Sequence, residues 1–186
     1  MRPDPKLIKD ILDEDTYTAL RSYLDSRDKA TLEWSDGFGR YLLGKDGFLD
    51  DIAKQLLPVA REAFNSPTLV PSYSLCAMYK TPKARLTSHK DDNACTYTLD
   101  MCVSQVTPWE LWVEGKPYTL QENEALAYYG NDQEHWREEF TNPLNNKVTM
   151  IFFHYVEPEH WYITKGPSYL SVIRKEITEE VWSKFQ

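Results

Sequence analysis

The stretch that decides the fold runs from Val70 to Val103 and reads VPSYSLCAMYKTPKARLTSHKDDNACTYTLDMCV. Both of its ends alternate. Tyr73, Leu75, Ala77 and Tyr79 interleave with Ser72, Ser74, Cys76 and Met78, and Tyr97, Leu99, Met101 and Val103 interleave with Thr96, Thr98, Asp100 and Cys102. Successive side chains on a strand point to opposite faces, so a period of two predicts a strand at each end. Between them lies the densest basic run of the chain, residues 80–90, which stops at Asp91 and Asp92.

Working outward, more short strands follow. Residues 109–120 (WELWVEGKPYTL) read as a hairpin turning at Glu114-Gly115. Residues 124–129 (EALAYY) read as a strand ending in a Gly130-Asn131-Asp132 turn, and residues 147–156 (KVTMIFFHYV) as a long one. Many short strands after a helical start predict a β-sandwich or barrel with helices packed outside.

Toward the N-terminus the period changes. Leu7, Ile8, Ile11 and Leu12 recur at helical spacing, as do Tyr17, Leu20, Tyr23 and Leu24 after Asp15 or Thr16 as cap. A second helix is expected over Phe48 to Phe64, with Pro58 inside its pattern. Between the helices, Gly37, Gly39, Gly44 and Gly47 crowd one window. That window reads either as a polar connection with tight turns or as a lid presenting Trp34, Phe38, Arg40 and Tyr41 to a pocket. A last helix is expected from Thr178 to Phe185.

At 186 residues, with 41% hydrophobic and 27% charged residues, the chain fits one domain with a substantial core. The expected divisions are a mainly helical support with the candidate lid (1–66), a β core (69–156) and a C-terminal extension with a helix (157–186). The composition excludes disordered, collagen-like and disulfide-stapled classes. No apolar run approaches a membrane span, and the polar N-terminus does not read as a signal peptide. Cys76, Cys95 and Cys102 form no CxxC and read as small buried hydrophobes in a reducing compartment, so a cytoplasmic location is expected. A net charge of −8 without a basic stripe argues against nucleic acid as a partner.

The chemistry concentrates on the chain's four histidines. In His89-Lys90-Asp91, residues i and i+2 of a strand share a side, so an imidazole and a carboxylate converge. With His135 they make two histidines and one carboxylate, the set that holds one face of a non-haem Fe(II) ion and leaves the other open. The spacing is weak evidence alone, because a surface His-Asp hydrogen bond satisfies it equally. The strand before it and the later His135 give it context. His154 and His160 read as packing or surface histidines. Lys147 and Thr149 share a face where the last long strand opens, and a cation beside a hydroxyl suits the far carboxylate of a dicarboxylic acid.

In these pieces the chain resembles the 2-oxoglutarate- and Fe(II)-dependent dioxygenases, specifically the prolyl-4-hydroxylase-like branch. The resemblance rests on Tyr79, His89-Lys90-Asp91, the hairpin and strand from Glu110 to Tyr129, His135, and Lys147 with Thr149. It implies a double-stranded β-helix core of jelly-roll, cupin-like form. It implies Fe(II) on His89, Asp91 and His135, with no catalytic residue beyond these ligands. It also implies 2-oxoglutarate held by Lys147, Thr149 and Tyr79, and ascorbate as a candidate reductant. Arg137, two residues after His135, competes with Lys147 for the anchoring role. The residues TPWELW replace the Gly-rich stretch usual before the central hairpin.

The implied reaction is oxidation, foremost hydroxylation, of an aliphatic C–H bond of a small molecule or amino acid by O2, with release of succinate and CO2. Arg85, Trp112, Arg137 and Arg40 are the candidate substrate contacts. Two other readings stand beside it: a prolyl hydroxylase acting on a peptide or protein, and a β-barrel binding module without turnover. The substrate, the type of oxidation and the oligomeric state are left open.

Overall fold

The computed structural model describes residues 2–80, 84–141 and 147–166. Among these residues the strands form two facing sheets. The larger has seven strands, in the order β1 (Lys6–Ile8), β9 (Ala125–Tyr128), β6 (Tyr97–Gln105), β11 (Val148–Val156), β4 (Val70–Tyr79), β3 (Arg40–Gly44) and β2 (Glu33–Ser35). The smaller has four, in the order β5 (Leu86–His89), β10 (His135–Arg137), β7 (Leu111–Val113) and β8 (Lys116–Tyr118). All strand pairings are antiparallel, and the two sheets make the expected double-stranded β-helix.

The period-two pattern has a direct structural meaning, because the large sheet is packed on both faces. One set of side chains, including Cys76, Met78, Leu99, Met101, Ile151 and Phe153, packs against α1 (Glu14–Asp25), α2 (Gly47–Gln55) and α3 (Leu57–Phe64). The alternate set, including Ala77, Tyr79, Cys102, Met150 and Phe152, faces the small sheet and packs with Leu111, Val113 and Tyr128. The first set makes the helix-covered core, and the second makes the barrel interior.

Three N-terminal expectations are revised. Residues Lys6–Ile8 form an edge strand on β9 rather than the start of a helix. Asp10 then takes a left-handed φ of 47°, and Asp13, not Asp15 or Thr16, caps α1 by accepting from Thr16 N at 2.9 Å. The apolar repeat before Asp13 is too short to nucleate a helix and finds its hydrogen bonds on a sheet edge instead. The expected helix from Phe48 to Phe64 is two helices meeting at Leu56, with Pro58 in the first turn of the second, where its missing N–H costs nothing.

The Gly-rich window is more than a bare connection. It forms the β2–β3 hairpin that extends the large sheet, with Trp34 against Tyr41 at a centroid distance of 4.7 Å. The Glu114-Gly115 turn forms as expected, with φ of 50° and 75°, the pair of left-handed residues that suits a tight hairpin. All three cysteines are free and buried. The expected helix from Thr178 to Phe185 lies outside the described residues. Among the described residues no helix is long and apolar enough to cross a membrane.

Candidate metal centre

Sheet pairing brings the sequence-distant histidines together. His135 of β10 is the direct cross-strand partner of His89 of β5, and their ring centroids lie 4.3 Å apart. The register shifts between His135 and Arg137, and a bulge of this kind re-aims side chains beside a site. Past the end of β5 the chain is pinned by Asp91 N donating to Gly130 O at 2.8 Å. This turns the Asp91 carboxylate inward, with Oδ1 3.3 Å from His89 Nε2 and Oδ2 3.7 Å from His135 Nε2. Ligand atoms of all three residues lie within 4.8 Å of one another.

The outer ring nitrogens fix the character of the inner ones. His89 Nδ1 lies 2.8 Å from Thr87 O, and His135 Nδ1 lies 3.0 Å from Gln133 O. A carbonyl only accepts, so each Nδ1 is the N–H, and in the neutral ring each Nε2 presents a lone pair toward Asp91. Two such lone pairs and a carboxylate facing one point is the donor set of a divalent transition metal, with the backbone orientation that metal-binding imidazoles need. The Asp91 hydrogen bond holds His89 above its ordinary pKa, whereas burial pulls His135 below. Burial opposes ionisation of Asp91, but the His89 hydrogen bond, and His154 and His135 once acid protonates them, outweigh it and keep the carboxyl below its usual range.

Behind Asp91 the packing is close. A Cβ on Gly130 would stand 2.5 Å from Asp91 Oδ2, 2.7 Å from Cys95 O and 2.7 Å from Thr98 Oγ1. His154, read from the sequence as a packing or surface histidine, is buried on the inner face of β11, with Nδ1 3.0 Å from Thr98 Oγ1. Burial lowers its pKa to about 4, so it stands neutral beside the site. With Asp91 and Cys95 it makes a second group of mutually close ligand atoms. Its even position on β11, in line with Met150 and Phe152, was the available sequence signal.

A cationic wall lines the rest of the interior. Arg137 is buried; its Nη1 donates to Trp109 O at 2.7 Å and its Nη2 lies 3.2 Å from Asp100 Oδ2. Arg40 Nη1 donates to the Tyr79 hydroxyl at 2.7 Å. Among the described residues, Arg40 Nε, Arg137 Nε and Asp100 Oδ1 are buried without a hydrogen-bond partner. Such orphaned groups cost of order 1–3 kcal/mol each, and two of these three are guanidinium donors, which suit an anion. Asp100 was not singled out from the sequence. Burial raises its pKa to about 6 despite Arg137.

The other expected site residues lie elsewhere. Lys147 is exposed and Thr149 half-buried; both line a cleft with Met78 and Val103, on the helix-covered face of the large sheet rather than in the interior. Trp112 stacks on Trp136 at 5.8 Å, on the outer face of the small sheet, because its neighbours Leu111 and Val113 fill the inner one. Arg85 is exposed, and its backbone N–H reaches Phe38 O at 3.5 Å. The structure thus brings His89, Asp91, His135, Tyr79, Arg40 and Arg137 to the barrel interior and leaves Lys147, Thr149, Arg85 and Trp112 outside it.

This architecture has close parallels among solved structures. HygX from Streptomyces hygroscopicus, solved with nickel and 2-oxoglutarate bound, superposes with a TM-score of 0.63 at 10% identity, over 83% of each chain. The non-haem α-ketoglutarate-dependent carbocyclase SnoK from nogalamycin biosynthesis gives 0.62 at 12% identity, over 81% of this chain and 79% of that one. A Pseudomonas putida prolyl-4-hydroxylase gives 0.58 at 13% identity, over 81% and 91%. No family model and no curated protein sequence matches the chain. At these identities the likeness is one of fold: the chain has the double-stranded β-helix of the 2-oxoglutarate/Fe(II) oxygenases.

Proposed function

We propose that this protein is a non-haem Fe(II)- and 2-oxoglutarate-dependent oxygenase that oxidises, foremost hydroxylates, an aliphatic C–H bond of a small molecule or amino acid. The observation that carries the reading is the orientation of the triad: both histidines tie Nδ1 to a backbone carbonyl and turn Nε2 toward the Asp91 carboxylate. A surface His-Asp pair would need neither the second imidazole nor the matched orientation.

His89, Asp91 and His135 would hold the metal, which with 2-oxoglutarate and O2 supplies the oxidising power, releasing succinate and CO2. The chain's own residues supply charge, orientation and dryness. Arg40 and Tyr79, with Arg137 behind them, would receive the far carboxylate of 2-oxoglutarate through the donors now unpartnered. This reading moves the anchor from Lys147 and Thr149 to the interior, because those two open onto the opposite face of the sheet. Tyr128, with its ring edge-on to His135 at 4.9 Å, and the apolar Met150 and Phe152 keep water from the inner wall.

A small-molecule substrate is supported by HygX, solved also with hygromycin B bound, and by SnoK. A peptidyl prolyl substrate is the second reading, supported by the similarity to a Pseudomonas putida prolyl-4-hydroxylase and to a viral collagen prolyl hydroxylase from Paramecium bursaria Chlorella virus-1. Anaerobic addition of Fe(II) and 2-oxoglutarate tests the function. A visible charge-transfer band and slow succinate formation in air are expected, both lost in Asp91→Ala. A protein that shows neither, or a variant that keeps both, removes the oxygenase reading.

A further inference from the structure

The pair Lys147 and Thr149 is left without a role in the interior. On the helix-covered face it joins a cleft of about 170 Å³ between α1, the end of β4 and the start of β11. Arg21, Arg27, Lys29 and Lys80 line the same cleft, and Asp25 is the one acidic residue among its lining residues. This concentration of positive charge runs against a chain whose net charge is −8.

The cations are not equally satisfied. Arg21 is paired with Glu122 at 2.8 Å and Arg27 with Asp46 at 3.1 Å. Among the described residues, Lys29, Lys80 and Lys147 have no carboxylate within ion-pair distance. Instead Lys29 and Lys147 share the cleft with Lys80 and act on its ammonium against the weaker pull of Asp25, and Tyr41 lies 5.7 Å beneath it. Burial, then Lys29 and Lys147, lowers the Lys80 pKa to about 8. Two like charges held together in a half-buried cleft repel, unless an anion lies between them.

We infer that this cleft binds a phosphate group, as free phosphate or on a small phosphorylated molecule, with Lys29, Lys80 and Lys147 as its cationic ligands and the Thr149 hydroxyl as a neutral one. Ammonium groups are compact donors suited to phosphate, and because the two arginines are already paired with carboxylates the lysines carry the cleft's uncompensated charge. Tyr79 of the interior also borders the cleft, but His89, Asp91 and His135 are not among its lining residues, so an anion held here is not the one that reacts. It is a second site on the same molecule.

The test is calorimetric titration of the metal-free full chain with pyrophosphate and with orthophosphate. Saturable binding is expected, weakened about tenfold for each of Lys80→Gln and Lys147→Gln and unchanged in His89→Ala. Pyrophosphate binding without orthophosphate binding would assign the cleft to larger phosphorylated molecules. A thermal melt gives a second readout. Without anion, Lys80→Gln is expected to melt higher than the wild type, because the Lys29–Lys80 repulsion is gone, and pyrophosphate is expected to raise the wild-type melting point more than the variant's. Absence of saturable binding, or equal binding by the Lys80→Gln/Lys147→Gln double variant, overturns the inference. Competition of 2-oxoglutarate with pyrophosphate also overturns it, since the cleft would then be the cosubstrate anchor. Loss of the oxygenase reading alone would leave these results unchanged.

Discussion

The two oxygens of Asp91 divide between two imidazoles, Oδ1 3.3 Å from His89 Nε2 and Oδ2 3.7 Å from His135 Nε2. The carboxylate is the one formal negative charge among the three candidate ligands and the piece that a neutral substitution removes. Asp91→Ala is therefore expected to lower affinity for Fe(II) or Co(II) by more than the roughly 10–100-fold that loss of an outer partner causes. Anaerobic calorimetry measures it, and affinity within tenfold of the wild type would take Asp91 out of the site.

Gly130 is where the fold permits that placement. A methyl group there would stand 2.5 Å from Asp91 Oδ2 and 2.7 Å from backbone at Cys95, so something must shift. Gly130→Ala is expected to weaken metal binding about 10–100-fold and to destabilise the fold by about 1–3 kcal/mol, the usual cost of overpacking. Metal titration beside urea unfolding separates the two effects. A variant that keeps full metal affinity would show that Asp91 does not depend on this close approach.

The anchor assignment makes a comparison between two cations. Arg40→Ala removes an interior guanidinium that donates to the Tyr79 hydroxyl and is expected to weaken 2-oxoglutarate binding about 10–100-fold, as for a lost charge-assisted hydrogen bond. Lys147→Ala is expected to leave it within about twofold, because that side chain opens onto the other face of the sheet. Iron affinity serves as the control in both. The reverse ranking would return the anchor to Lys147.

Arg137 and Asp100 form a buried pair at 3.2 Å, and removing one partner strands the other. Arg137→Ala is expected to destabilise by about 3–5 kcal/mol. The pH dependence follows from Asp100, whose folded pKa is raised from 3.8 to about 6, chiefly by burial. Between those values the folded state holds the proton that the unfolded state has released, so this group's contribution to stability falls as pH rises. The wild type is expected to lose stability relative to Asp100→Asn from pH 4 to pH 6. Urea melts of the metal-free proteins at both pH values measure the difference, and a constant difference would count against the raised value.

The candidate metal ligands were legible because strand periodicity and residue chemistry are local. His89 and Asp91 are two apart on an extended segment, and His135 lies in another extended segment. The cosubstrate anchor was not legible in the same way. Lys147 and Thr149 do share a face, as their spacing requires. Which face is decided by Val148, Met150 and Phe152, which fill the barrel interior and send the odd positions to the helices. Arg40 lies in a Gly-rich window that reads as a connection or a lid, with Arg40 as a candidate substrate contact, and its pairing with Tyr79 across β3 and β4 brings its guanidinium inside.

By itself the sequence determined the alternation of the strands, the left-handed turn at Glu114-Gly115 and the donor types available for a metal. Each depends on neighbours a few positions apart. Tertiary structure alone decided that His89 and His135 are cross-strand partners, that Gly130 makes room for Asp91, that His154 and Asp100 face the interior, and that Lys147 does not. These depend on which strand lies beside which and on which of two equally regular faces is covered by helices. A period of two defines both faces of a strand without saying which one turns inward.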